Sequence, residues 1–188
     1  MANPEHTPIM NTLDTLTVIL YRFGLLGAAT TAVCRVVESV FGVGVLGEWH
    51  LPLVALFATI TSANLHLYDP LFRWLFPLTS WLGLVMLAFA GQLENYHFAS
   101  VYMKIIALGC FYAGFGMLAV KEYFCFKIPG LPLVPLLLAV VVLLNLLEKT
   151  YAASIVLAPA AILLLVLSIA KMRMPLHFDV GDKNQYGI

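Results

Sequence analysis

The chain alternates long apolar runs with short polar breaks. Residues 49–68, 74–93, 105–120, 128–147 and 150–170 contain no Asp, Glu, Lys or Arg, and only short gaps separate them. A helix of ~20 apolar residues rises ~30 Å, the thickness of a bilayer's hydrocarbon core. A sixth run, residues 15–37, is also long enough to cross but carries Arg22 inside it and Arg35 near its far end. A mid-bilayer arginine costs ~3 kcal/mol on insertion scales, and a long side chain near a helix end reaches the headgroups. Leu16, Val18, Ile19, Leu20, Phe23, Leu25 and Leu26 offset that cost at roughly −0.3 to −0.6 kcal/mol each. The pattern predicts an all-α, polytopic membrane protein: a bundle of six transmembrane helices spanning residues 14–170. Residues 1–13 precede it as a cytoplasmic segment, and residues 171–188 follow as a polar, mobile cytoplasmic tail.

Composition agrees with the pattern. The 188 residues are 62% hydrophobic and 11% charged, whereas a soluble domain carries ~25% charged residues. The loops are too short for a second domain, which needs roughly 50 residues. With ten basic and ten acidic residues, no electrostatic footprint for nucleic acid exists. The partners expected are the lipid bilayer and, within it, other membrane proteins or further copies of the chain. Residues 1–13 lack the basic region of a cleaved signal, so the first hydrophobic segment is expected to stay attached.

Six crossings put Arg22, Arg73, Lys121, Lys127, Lys171, Arg173 and Lys183 on one side and Arg35, Lys104 and Lys149 on the other. The excess of positive charge marks the cytoplasmic face, so both termini are expected in the cytoplasm. Helices in lipid associate through small residues that let backbones approach. Gly24-xxx-Ala28-xxx-Ala32 and Gly109-xxx-Ala113 have that spacing, and bulk is expected to hurt most at Gly24 and Gly109. Pro52, Pro77, Pro132, Pro135 and Pro159 are read as ordinary membrane-helix prolines.

Candidate chemistry gathers at the predicted inner end. Asn64, His66 and Asp69 close the second span, and Lys121, Glu122 and Cys125 close the fourth. Arg22 lies slightly deeper and needs a carboxylate partner, with Asp69 or Glu122 the candidates. One reading is a polar pocket for a proton, an ion or a small anionic molecule; the other is a set of staples between helices. Cys125 lies one turn from Lys121, where a cation can activate a thiol, although a packed inert thiol is commoner. The three cysteines fall at different levels, so no disulfide framework is expected.

On the outer side, Glu94-x-x-His97 has the spacing of a metal-ligand pair, but no second such motif completes it. Glu48-x-His50 has the wrong spacing for one helix face. No metal or other cofactor is expected. Gly42-Val-Gly44-Val-Leu-Gly47 spells a dinucleotide fingerprint, but that motif works only in a soluble strand–turn–helix unit. No serine lies in a Gly-x-Ser-x-Gly elbow.

The segments 64–70 (Asn-Leu-His-Leu-Tyr-Asp-Pro) and 121–125 (Lys-Glu-Tyr-Phe-Cys) resemble motifs of an uncharacterised integral-membrane family, domain of unknown function 2301. Its relatives occur in bacteria, cyanobacteria and plastids. The resemblance covers the chain from the second span onward. It implies a small multi-pass helical protein and brings no established activity. Three functional readings follow, in this order: an accessory or assembly subunit of a membrane complex, a small transporter or channel, and a membrane-embedded redox or hydrolytic enzyme. No enzymatic activity is expected from the residues themselves.

Overall fold

The computed structural model describes residues 10–66 and 70–180. Asp69 and the end of the chain from 181 therefore lie outside the described residues. The order of elements is α1 (Thr12–Phe41), α2 (His50–Ala63), α3 (Pro70–Gln92), α4 (His97–Phe126), α5 (Val134–Leu146), α6 (Thr150–Arg173) and a short α7 (His177–Val180). No strand occurs among the described residues.

Local chemistry sets the boundaries. Asn11 and Asp14 form a capping box at the start of α1, with the Asn11 N–H donating to Asp14 Oδ2 at 2.8 Å; this satisfies donors that the first helical turn leaves open. Gly42, at φ 66°, ends the helix in the left-handed conformation that glycine adopts without strain. The Glu38 carboxylate then accepts the Gly47 N–H at 2.9 Å and holds the turn into α2. Lys127 and Gly130 turn the chain after α4 with positive φ, and Pro132 and Pro135 lie at the starts of the next helical segments. Pro77 and Pro159 lie inside α3 and α6.

Four helices, α1, α3, α4 and α6, are long and apolar enough to cross a membrane. Helices α1 and α4 have 30 residues each, about 45 Å. Helices α2 and α5 have 14 and 13 residues, about 20 Å, shorter than the charge-free runs that contain them. The reason is local: residues 64–66 lie beyond the last turn of α2, and residues 127–133 form a turn and a 3₁₀ segment before α5.

Helix α1 packs against α2 and α6, α6 against α5, α5 against α4, and α4 against α2, closing a ring of five. Helix α3 lies outside the ring on α4 and α2. Hydroxyls tie neighbours together: Ser62 to Ser80 at 2.8 Å, Ser154 to Ser39 at 2.7 Å, and Ser100 to the Ala90 carbonyl at 2.9 Å. The faces of α1, α4 and α6 that meet inside the ring are built alike. Leu25, Ala28 and Ala32 on α1, Phe115 and Ala119 on α4, and Leu157, Ala161 and Leu164 on α6 form a buried apolar middle. The same stripes end in polar groups both above and below it.

Candidate functional site

The lower end of that interior face holds a chain of buried ions. Tyr21 and Arg22 project from α1, Glu122 from α4, and Lys171 from the last turn of α6. Asp179 comes from α7, which the turn at Met174–Pro175 brings back against α1. Arg22 is 5% exposed, Lys171 3% and Glu122 fully buried. Arg22 Nη2 lies 2.6 Å from Asp179 Oδ2, and its Nε donates to the same oxygen at 2.7 Å. Its Nη1 donates to the Met174 carbonyl at 2.6 Å and Nη2 to that of Pro175 at 3.0 Å. Lys171 pairs with Asp179 through Oδ1 and lies 3.0 Å from Glu122 Oε2. The other Glu122 oxygen accepts from Lys121 Nζ at 2.9 Å and from the Tyr21 hydroxyl at 3.0 Å. The Lys171 ammonium also lies 5.1 Å from the Tyr21 ring and 5.6 Å from that of Phe126, within cation–π range.

The four innermost ions, Arg22, Asp179, Lys171 and Glu122, balance in charge. Lys121, with 32% of its side chain exposed, connects them to the surface. Removing one partner from a buried ion set costs about 3–5 kcal/mol, because an uncompensated charge stays behind. The set therefore fixes α7 and the end of α6 against α1.

Several expectations change here. Arg22 finds its acid in Asp179, while Glu122 pairs with two lysines. The segment after residue 170 is not a loose tail as far as Val180, which is itself buried. Asn64 donates to the Ile60 carbonyl of its own helix at 2.8 Å, and His66 Nε2 lies 2.9 Å from the Thr17 hydroxyl. Cys125 is exposed at the end of α4. Glu94 and His97 are both exposed at the α3–α4 turn. Sequence reasoning missed Tyr21, Lys171 and Asp179 as site residues. The signal was Leu176 and Val180, apolar positions that give the tail something to bury, beside an arginine short of an acid.

The small-residue faces also separate. A Cβ on Gly24 would lie 2.9 Å from the Thr61 backbone nitrogen and 2.5 Å from its hydroxyl, so α1 and α2 touch there. A Cβ on Gly109 would meet only Val142 methyls at 3.5 Å or more. Gly109 and exposed Ala113 border an apolar groove of about 450 Å³ between α4 and α5. Gly27 and Gly83, which sequence reasoning passed over, are tighter than Gly109: their Cβ atoms would enter the rings of Phe57 and Phe111.

At the upper end, all five ring helices contribute to a cavity of about 60 Å³. Arg35, His50, Tyr112, Asn145, Thr150 and Ser154 supply its polar lining. Tyr112 is 5% exposed, and neither its hydroxyl nor the buried His50 Nε2 has a hydrogen-bond partner.

Comparison with known proteins agrees with an integral membrane protein. The family described as "Uncharacterized integral membrane protein (DUF2301)" matches residues 61–187, from the end of α2 past Asp179. An uncharacterized protein of Haemophilus influenzae is 37% identical over 188 residues, covering 100% of both chains. No solved structure matches. The chain belongs to the DUF2301 family of uncharacterized integral membrane proteins.

Proposed function

We propose that this protein is a small transporter or channel that passes an ion or small polar solute along the axis of its helical ring. One observation carries the reading. The buried stripes of α1, α4 and α6 run from the Arg35–Tyr112–Ser154 level through an apolar middle to the Tyr21–Glu122–Lys171 level. Ionisable groups inside a membrane protein are costly and tend to line solute or proton paths. A polar cavity at one end and a buried ion set at the other, separated by a packed apolar layer, describe a closed state.

In this reading the chain crosses a bacterial inner membrane six times, with α2 and α5 as short crossings shielded by longer neighbours. The ion cluster and both termini face the cytoplasm, as the seven-to-three split of positive charge supports. The role is non-enzymatic.

The test is flux in proteoliposomes, for protons, alkali cations and small anions in turn. The informative variant combines Glu122→Gln with Lys171→Met. It removes one ion of each sign and leaves the buried set neutral, so the fold is expected to survive. Flux by the native chain and its loss in the double variant support conduction. A native chain silent for every ion contradicts it.

An accessory subunit is the second reading. Trp74, Leu78, Trp81, Val85 and Phe89 form an exposed stripe along α3, which a neighbouring membrane protein can cover. Recovery of the chain in a defined complex from mild detergent supports that role, and a monomer in every detergent opposes it.

A further inference from the structure

We infer that the upper cavity is a binding site for one small monovalent anion, of halide or formate size. A single water needs roughly 10–15 Å³ of such space, so about 60 Å³ holds an ion of that size and a water or two, but no metabolite. The lining decides the sign of the charge. Arg35 brings a guanidinium with five donors and spends one on Glu38 at 3.3 Å. Its charge acts on both the Tyr112 hydroxyl and His50, and the Glu38 carboxylate acts on His50 with the opposite sign.

The Tyr112 O–H is buried with no acceptor, and an unpaired buried donor is costly. His50 Nε2 is equally buried and unpartnered, and it donates in the tautomer that carries its proton there. No carboxylate lines the cavity. The Ser154 hydroxyl and the amide nitrogen of Asn145 already serve the helices: Ser154 Oγ lies 2.7 Å from the Ser39 hydroxyl and 3.1 Å from the Thr150 carbonyl, and Asn145 donates to the Val141 carbonyl. A cation would meet the Arg35 guanidinium, while the acid paired with it, Glu38, lies outside the lining. An anion there has Arg35, Tyr112 and, in that tautomer, His50 in the lining as donors, one of them charged, and charge-assisted hydrogen bonds are the stronger kind.

This names the solute class for the conduction reading and rests on it only for the path, because binding and flux are measured apart. The full chain in detergent is titrated with sodium chloride, bromide or formate against sodium gluconate at constant ionic strength, following the thermal unfolding midpoint. The site predicts a saturable rise with the three small anions and none with gluconate. Tyr112→Phe keeps the ring and removes the donor. It is expected to fold as well as the native chain and to weaken the apparent anion affinity about tenfold, the equivalent of one good hydrogen bond. Bromide-soaked crystals should place the ion between Arg35 and Tyr112. No anion-specific rise, or a rise unchanged in Tyr112→Phe, overturns the site and leaves the cavity to water. A Tyr112-dependent rise without flux of any of these anions establishes the site and refutes anion conduction.

Discussion

At the scale of single residues, the ion set at the base of the ring makes a sharp energetic claim. Glu122→Gln alone leaves Lys171 and Arg22 facing only Asp179, and Lys171→Met alone leaves Glu122 without its buried cation. Each single variant is expected to lose about 3 kcal/mol of stability. The double variant should recover most of it, since neutrality returns. Reversible unfolding in mixed micelles measures this cycle, and additive losses would show that the residues do not act as one unit. The need of Arg22 for an acid was legible in the sequence, because a charge in lipid demands one. Its identity was not. Asp179 lies 157 positions away along the chain, beyond a proline, in a segment whose charges read as solvated. The same holds for Tyr112 and His50: nothing in the spacing of two residues 62 positions apart says that five helices bring them to one cavity.

At the scale of elements, charge-free runs located the helices but misjudged their lengths in both directions. Residues 64–66 and 127–133 are uncharged or nearly so, yet proline, glycine and a self-capping asparagine keep them out of regular α-helix. Conversely, α4 continues through Lys104, Lys121 and Glu122 at both ends, since a charge that finds a partner or an interface does not stop a helix. Close packing gives a prediction here. Gly24→Leu should cost at least ~2 kcal/mol, because a side chain there drives into the backbone of α2. Gly109→Ala should cost under about 1 kcal/mol, because the groove beside it has room. Relative yield of folded protein in detergent orders the two, and equal sensitivity would contradict the α1–α2 contact. Ending the chain after Met174 removes Asp179 and strands Arg22. The truncated protein should unfold at a lower temperature than the full chain, and an unchanged midpoint would mean that α7 is dispensable.

At the scale of the whole molecule, the account depends on the interior face of the ring rather than on its outer surface. Sequence reasoning put an accessory role first; that the polar ends of α1, α4 and α6 share one face, which the sequence does not display, is what supports the conduction reading beside it. Membership of an integral-membrane family fixes the solvent and leaves that question to the geometry. If the ring passes solute, its apolar middle must admit water at intervals. The direct measurement is cysteine accessibility in membranes, in a background lacking Cys34, Cys110 and Cys125. Ala28→Cys lies in the buried middle layer, and Phe23→Cys lies at a neighbouring level on the exposed side of α1. Conduction predicts that a small water-soluble thiol reagent labels the cysteine at 28 and spares the one at 23. Labelling at 23 with none at 28 would mean that the interior stays dry, and the ring would then be only a scaffold.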